Sequence, residues 1–304
     1  MSDKSKAIIK NKIMETTEIT QKTETEVDTE VDTKPDIEFL ARKNPHPRDS
    51  HITFDEGPHI YTIDGDSGFT SVTTWNHSHF EEFDADRIIK NMMSSKNWPK
   101  SKYFGQTPDE IKAGWEKNRD EAASAGTKMH FDIECYYNEC PQENDSIEYE
   151  YFTRFRKRYS DLIPYRTEWM VYHEELRLAG SIDMIYKNPD GSLLIYDWKR
   201  SKGIEKTPRF NKYAKTECIS HLPDTNYWHY CLQLNVYRAI LEEKYGQKVS
   251  GMYLVCLHPN NDNQSFQRIQ VADLSDEVKE LFSFRKQQLL YEKGSSDKNL
   301  NTDP

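Results

Sequence analysis

Between Thr167 and Val271, apolar and polar positions alternate or cluster in short runs. They predict strands over 167–173, 177–186, 192–199, 252–257 and 266–271. A 3.6-residue period predicts a helix over 227–245 between these strands, and a last helix runs over about 275–291. Upstream, 59–63 and 69–73 alternate like short strands around the turn signal Asp64-Gly65-Asp66. Helices are predicted over 84–94 and from Asp109 towards Asn138, with a break or cap near Gly126. This order predicts an α/β class with one central mixed β-sheet flanked by helices and an α-rich N-terminal part.

The two ends read differently. Residues 1–37 are Thr, Glu, Lys and Asp with few large apolar side chains, too little to offset the entropy of ordering, and 294–304 is similar. The expected organisation is therefore a disordered acidic tail over 1–37, one domain over 38–293 with its core at about 125–272, and a loose tail over 294–304. With 36% hydrophobic and 12% aromatic residues the centre can build a sizeable core.

Five cysteines without a C-x-x-C pair give no spacing for a zinc knuckle or an iron-sulfur cluster, and point to a reducing compartment. No apolar run approaches the roughly 18 to 20 residues of a membrane span, so a soluble, intracellular protein without membrane partners is expected. The net charge of -10 argues at first against nucleic acid. Its distribution reverses that, because Lys199, Arg200, Lys202, Lys206, Arg209, Lys212 and Lys215 share one segment with the single acid Glu205. Arg154, Arg156, Lys157 and Arg158 form a second basic cluster. A local basic strip can bind phosphate on an acidic protein.

The chemistry concentrates in Gly180-Ser-Ile-Asp183, then Asn188-Pro-Asp-Gly191, then Asp197-Trp-Lys199. Asn188-Pro-Asp-Gly191 suits a type I turn followed by a left-handed glycine, a hairpin loop that sets Asn188 opposite Ser192. Counting back, Asp183 falls directly opposite Asp197 on one face of the sheet, with Lys199 beside it and Trp198 turned away. Opposed like charges destabilise a sheet, and a divalent cation between them removes that cost. A D-x-K tripeptide alone is more often an ordinary salt bridge, and the surrounding register, Gly-x-x-Asp and basic strip turn the balance here. His130 and Glu134 are four apart on one predicted helix, and Gln233 and Tyr237 four apart on another, so each pair shares a face. Taken singly, these four fit ordinary packing or surface positions.

In order along the chain stand Gly126-Thr-Lys-Met-His130-x-x-x-Glu134, Gly180-Ser-Ile-Asp183, Asp197-Trp-Lys199 and Gln233-Leu-Asn-Val-Tyr237. This set resembles the RecB-like branch of the PD-(D/E)XK nucleases, which includes mitochondrial genome maintenance exonucleases and viral exonucleases. The resemblance implies a restriction-endonuclease-like core and metal ligation by His130, Asp183 and Asp197. It implies that Lys199 orients or activates the attacking water, and that Gln233 and Tyr237 line the site. Glu134 and Glu168 stand where relatives carry further acids.

The implied activity is hydrolysis of DNA phosphodiesters with Mg2+, or Mn2+ in its place, most simply by an exonuclease in repair, recombination or replication. The implied substrate is single-stranded DNA or DNA ends, tracked by Arg200, Lys202, Lys206, Arg209 and Lys212. No helicase motif or phosphate loop is present, so any helicase or replication partner would be a separate chain. Two alternatives stay open: a catalytically silent nucleic-acid-binding module and an RNA endonuclease of the same fold.

Overall fold

The computed structural model describes residues 35–208 and 210–300. Most of the expected acidic tail, 1–34, lies outside the described residues, as do Arg209 and the last residues 301–304.

Helix α1 (Phe39–Lys43) leads into an antiparallel hairpin of β1 (Ile52–Asp55) and β2 (Ile60–Ile63). The Asp64-Gly65-Asp66 turn is present, with Ile63 and Asp66 exchanging backbone hydrogen bonds and Gly65 at φ +83°. The strand expected over 69–73 is cut short. β3 is only Thr70–Ser71, and the Ser71 hydroxyl accepts the Thr74 N–H at 3.0 Å to start helix α2 (Val72–His77). An N-cap serine here outweighs the strand preference of the β-branched residues that follow.

Helix α3 (Ala85–Met93) is capped by Asp84. Helix α4 (Pro108–Tyr137) opens with a capping box of Thr107 and Glu110 and runs 30 residues. It passes Gly126 without the expected break. A glycine inside a helix costs about 1 kcal/mol, less than nucleating a second helix. Helix α5 (Ile147–Arg158), unforeseen in the sequence pattern, is capped by Ser146 and buries Tyr151, Phe152 and Phe155.

The sheet follows as β4 (Pro164–His173), β5 (Leu178–Lys187), β6 (Leu193–Lys199), then helix α6 (Asn226–Lys244), β7 (Val249–Cys256), β8 (Gln267–Gln270) and helix α7 (Ser275–Leu300). Helix α7 carries on nine residues beyond Tyr291, so the backbone expected to be loose from Gly294 is helical as far as Leu300. Extending an existing helix costs far less than starting one. The spatial order is β3-β5-β6-β7-β8, with β4 on β5 as well. β3 with β5 and β6 with β7 are parallel and the other pairs antiparallel, which makes the sheet mixed, as predicted.

One edge of β5 is paired with β4 along almost its whole length. The other edge is shared, by β3 at Leu178 and Ala179 and by β6 from Met184 to Lys187. Between them, Gly180 to Asp183 has no strand on that edge among the described residues. The sheet opens there.

Helices cover both faces. On one side Met129, Ile133 and Tyr137 of α4 and Phe152 and Phe155 of α5 pack on Tyr196, Trp198 and Val255. On the other, Leu234, Ile240 and Leu241 of α6 and Leu281 of α7 pack with Ile185, Ile195 and Leu254. Phe155 is fully buried edge-on against Tyr196 and Trp198. Truncating such a side chain to alanine costs about 3 to 5 kcal/mol.

Candidate active site

The hairpin loop forms as read from the sequence: the Asn188 N–H donates to Ser192 O at 2.8 Å, the Gly191 N–H to Asn188 O at 2.9 Å, and Gly191 takes φ +86°. The register it sets holds as far as Met184 opposite Tyr196. The next pair, expected to be Asp183 directly opposite Asp197, does not join the ladder. Instead the Asp183 carboxylate (Oδ2) accepts the Trp198 backbone N–H at 2.9 Å. The strands part where two buried carboxylates would otherwise oppose each other, and the side chain of one replaces a main-chain acceptor.

On the opposite side of β5, Glu168 sits in β4 with φ +41°, a conformation rare for a residue with a side chain. Such backbone costs of order 1 kcal/mol or more and persists where the surroundings impose it. Here the Glu168 carboxylate accepts the Ser181 hydroxyl at 2.7 Å. His130 of α4 completes the group, its Nδ1 3.5 Å from Asp183 Oδ2 and 4.0 Å from Glu168 Oε1. One ligand atom from each of His130, Glu168 and Asp183 lies within 4.8 Å of the others. Burial opposes a charge on the imidazole, but Asp183 and Glu168 outweigh it and push His130 up to about 9.

Asp197 stands apart from this trio. Its carboxylate is buried on Lys199, whose Nζ lies 3.0 Å from Oδ1 and 2.8 Å from Oδ2. Only the Oδ1 contact has hydrogen-bond geometry, and Oδ2 is left buried without a hydrogen bond. Burial first, and Asp183 after the opposing Lys199, push Asp197 up to about 6, while Asp183 is raised chiefly by its own burial. Lys199 is held above its usual range because Asp197 and Asp183 outweigh the cost of burying it. Its Nζ also lies 4.6 Å from the centre of the Tyr230 ring, a partner the motif pattern did not single out.

Glu134 lies one turn beyond His130 but outside the trio. Burial, then the charges of Glu168 and Glu56, push it up to about 8. On α6, the Gln233 amide donates to Thr73 Oγ1 at 3.3 Å and reaches the Tyr237 hydroxyl at 3.5 Å. Tyr237 is buried, and its hydroxyl comes so close to Gly180 that a Cβ there would sit 2.6 Å from it. That explains the glycine three residues before Asp183. His130 reaches Asp183 from the helix on one face of the sheet and Tyr237 packs on Gly180 from the helix on the other, both along the stretch of β5 that lacks a neighbour. Ser181 and Tyr230 were missed by motif, yet each had a signal: Ser181 is two residues from Asp183 on a strand, and Tyr230 three from Gln233 on a helix.

The basic strip divides. Arg200 is committed to Glu148, Nε to Oε1 at 2.6 Å with both side chains largely buried, so it is not a free phosphate contact as the sequence suggested. Lys202, Lys206 and Lys212 are exposed, with Lys206 over the Tyr227 ring. Arg209 lies outside the described residues. In the second cluster, Arg154 pairs with Glu150, and Arg156 packs over Tyr136 and Tyr137.

The donors fit a hard divalent cation: one imidazole and carboxylates at His130, Glu168 and Asp183, with the unbonded Asp197 Oδ2 nearby. A cavity of about 1150 Å³ beside Trp75, Lys215 and Arg285 contains none of these groups, so volume does not mark the site. No described helix is long and apolar enough to cross a membrane. A search of curated proteins returns no match. A family model described as the PD-(D/E)XK nuclease superfamily matches residues 78–297.

Proposed function

This chain belongs to the PD-(D/E)XK nuclease superfamily, whose members use divalent metals, and from that premise we propose that it is a Mg2+-dependent exonuclease acting on DNA in repair, recombination or replication. The observation that carries the reading is the convergence of the His130, Glu168 and Asp183 ligand atoms within 4.8 Å, beside the buried Asp197–Lys199 pair.

His130, Glu168 and Asp183 would hold a divalent cation, which would supply Lewis acidity to the phosphate and a water nucleophile at neutral pH. The protein's own groups do the rest. Lys199 remains an ammonium and offsets charge developing on the phosphate. Asp197 holds that ammonium in place. Ser181 fixes the Glu168 carboxylate through its hydroxyl. The Trp198 N–H fixes Asp183. Gln233 and the Tyr237 hydroxyl present donors to a phosphate oxygen from the far face. Lys202, Lys206 and Lys212 supply the cationic surface along the strand.

The test is digestion, with Mg2+, of end-labelled linear and closed circular DNA in single- and double-stranded form. The reading expects loss of linear substrate from its ends, circles left intact, and complete dependence on added metal. Cutting of circles would replace exonuclease with endonuclease, and full activity in excess EDTA would remove the mechanism.

A further inference from the structure

We propose a phosphate-binding subsite at the N-terminus of α6, formed by Thr225, the first-turn amides of that helix, Lys202 and Lys212, which holds a phosphate of the substrate strand next to the cleavage centre. This deepens the nuclease reading and rests on it for the identity of the strand, though not for the binding of phosphate.

Helix α6 is 19 residues long and starts without a side-chain cap. Its N-cap residue, Thr225, is only 9% exposed, yet its hydroxyl oxygen is buried without a hydrogen-bond partner. A buried hydroxyl left unpaired costs stability, and a helix N-terminus with uncapped amides attracts an anion through its orphan N–H groups and dipole. Thr225 lines a cavity of about 390 Å³ together with Lys202, Lys212, Asn226 and Phe210.

The wall is held by local bonds. Asn226 donates to Gly203 O at 2.7 Å and accepts the Glu205 N–H at 2.8 Å, which ties the loop after Lys199 to the start of the helix. Two acids, Glu205 and Asp224, share the wall with the two lysines, and Asp224 is paired with His229 at 2.9 Å. Among the described lining residues the two lysines and two acids balance, so the attraction for an anion comes from the helix end and the Thr225 hydroxyl.

Position and rim point to nucleic acid. From Thr225 to Tyr230, the ring under the Lys199 ammonium, the helix rises about 7.5 Å, so an anion at the helix start lies close to the reacting phosphate. Phe210, a lining residue 76% exposed, offers an aromatic face to a base. Stacking on exposed aromatics with phosphates in a cationic groove is how single strands are held. The substrate class is therefore single-stranded nucleic acid, or the frayed end of a duplex.

The test uses the full chain, labelled with 15N and free of metal, titrated with inorganic phosphate and with a deoxynucleoside 5′-monophosphate. Saturable shifts of the Asn226, Tyr227 and Trp228 amides are expected. Thr225→Val, which removes a hydroxyl that has no partner, should melt no lower than the parent yet weaken phosphate binding about tenfold or more. Lys202→Gln with Lys212→Gln should weaken it too. Absence of shifts at those amides, or shifts unchanged in both variants, overturns the subsite. DNA digestion run alongside separates the two ideas: phosphate binding without cutting of any DNA sinks the nuclease reading alone, and cutting without the amide shifts sinks the subsite alone.

Discussion

Asp183 accepts the Trp198 backbone N–H at 2.9 Å, so the carboxylate is anchored by the strand that carries Asp197 and Lys199. One hydrogen bond thus sets the spacing between the two halves of the site. It also fixes which oxygen of Asp183 faces His130, since the same Oδ2 lies 3.5 Å from the imidazole.

If this cluster binds metal, cation binding to the folded chain raises its stability by linkage. At a free metal concentration 100 times Kd the gain is about 2.7 kcal/mol, or roughly 5 to 10 °C in Tm for a domain of this size. Asp183→Asn should abolish activity and most of that gain. Thermal melts with EDTA and with Mg2+ or Mn2+ decide it, and an undiminished metal response in the variant would contradict the ligand assignment.

Metal affinity should depend on pH through His130. Its metal-free pKa is raised to about 9, and a metal must displace that proton, so apparent affinity rises with pH, up to about tenfold per unit below that value from this group alone. His130→Gln should bind more weakly at pH 8 and show a shallower slope. Titrations at pH 6, 7 and 8 measure both slopes, and parallel slopes would exclude His130 as a ligand.

Lys199→Gln removes the ammonium that meets charge in the transition state. Turnover should fall by about a hundredfold to a thousandfold, with substrate affinity nearly kept because phosphate contacts are spread over other lysines. A variant that loses affinity and keeps turnover would make Lys199 a binding residue instead.

Gly180→Ala tests the packing between the sheet opening and α6. The added Cβ would lie 2.6 Å from the Tyr237 hydroxyl and 2.8 Å from a ring carbon, so tyrosine or strand must shift, at a cost of about 1 to 3 kcal/mol. In a Tyr237→Leu background the same change should cost clearly less. Urea melts of the four proteins give the coupling, and additive effects would place the strain elsewhere.

The strand pairing around Asn188-Pro-Asp-Gly191 is legible along the chain, because a two-residue period and a glycine-dependent turn are local. Counting along them predicts Asp183, Asp197 and Lys199 on one face of the sheet. It also puts His130 with Glu134 and Gln233 with Tyr237 onto common helical faces, because the helical repeat is local too. Which of those residues meet was decided by tertiary structure. Glu168 joined His130 and Asp183 and Glu134 did not, since a left-handed residue in β4 and the placement of α4 set those distances. Arg200 was drawn into Glu148 of α5, a helix packed from 52 positions away, and no pattern around Arg200 records that charge. Likewise the gap in the sheet edge between β3 and β6 depends on two strands far apart in sequence sharing β5, and His130 and Tyr237 approach that stretch from helices on opposite faces.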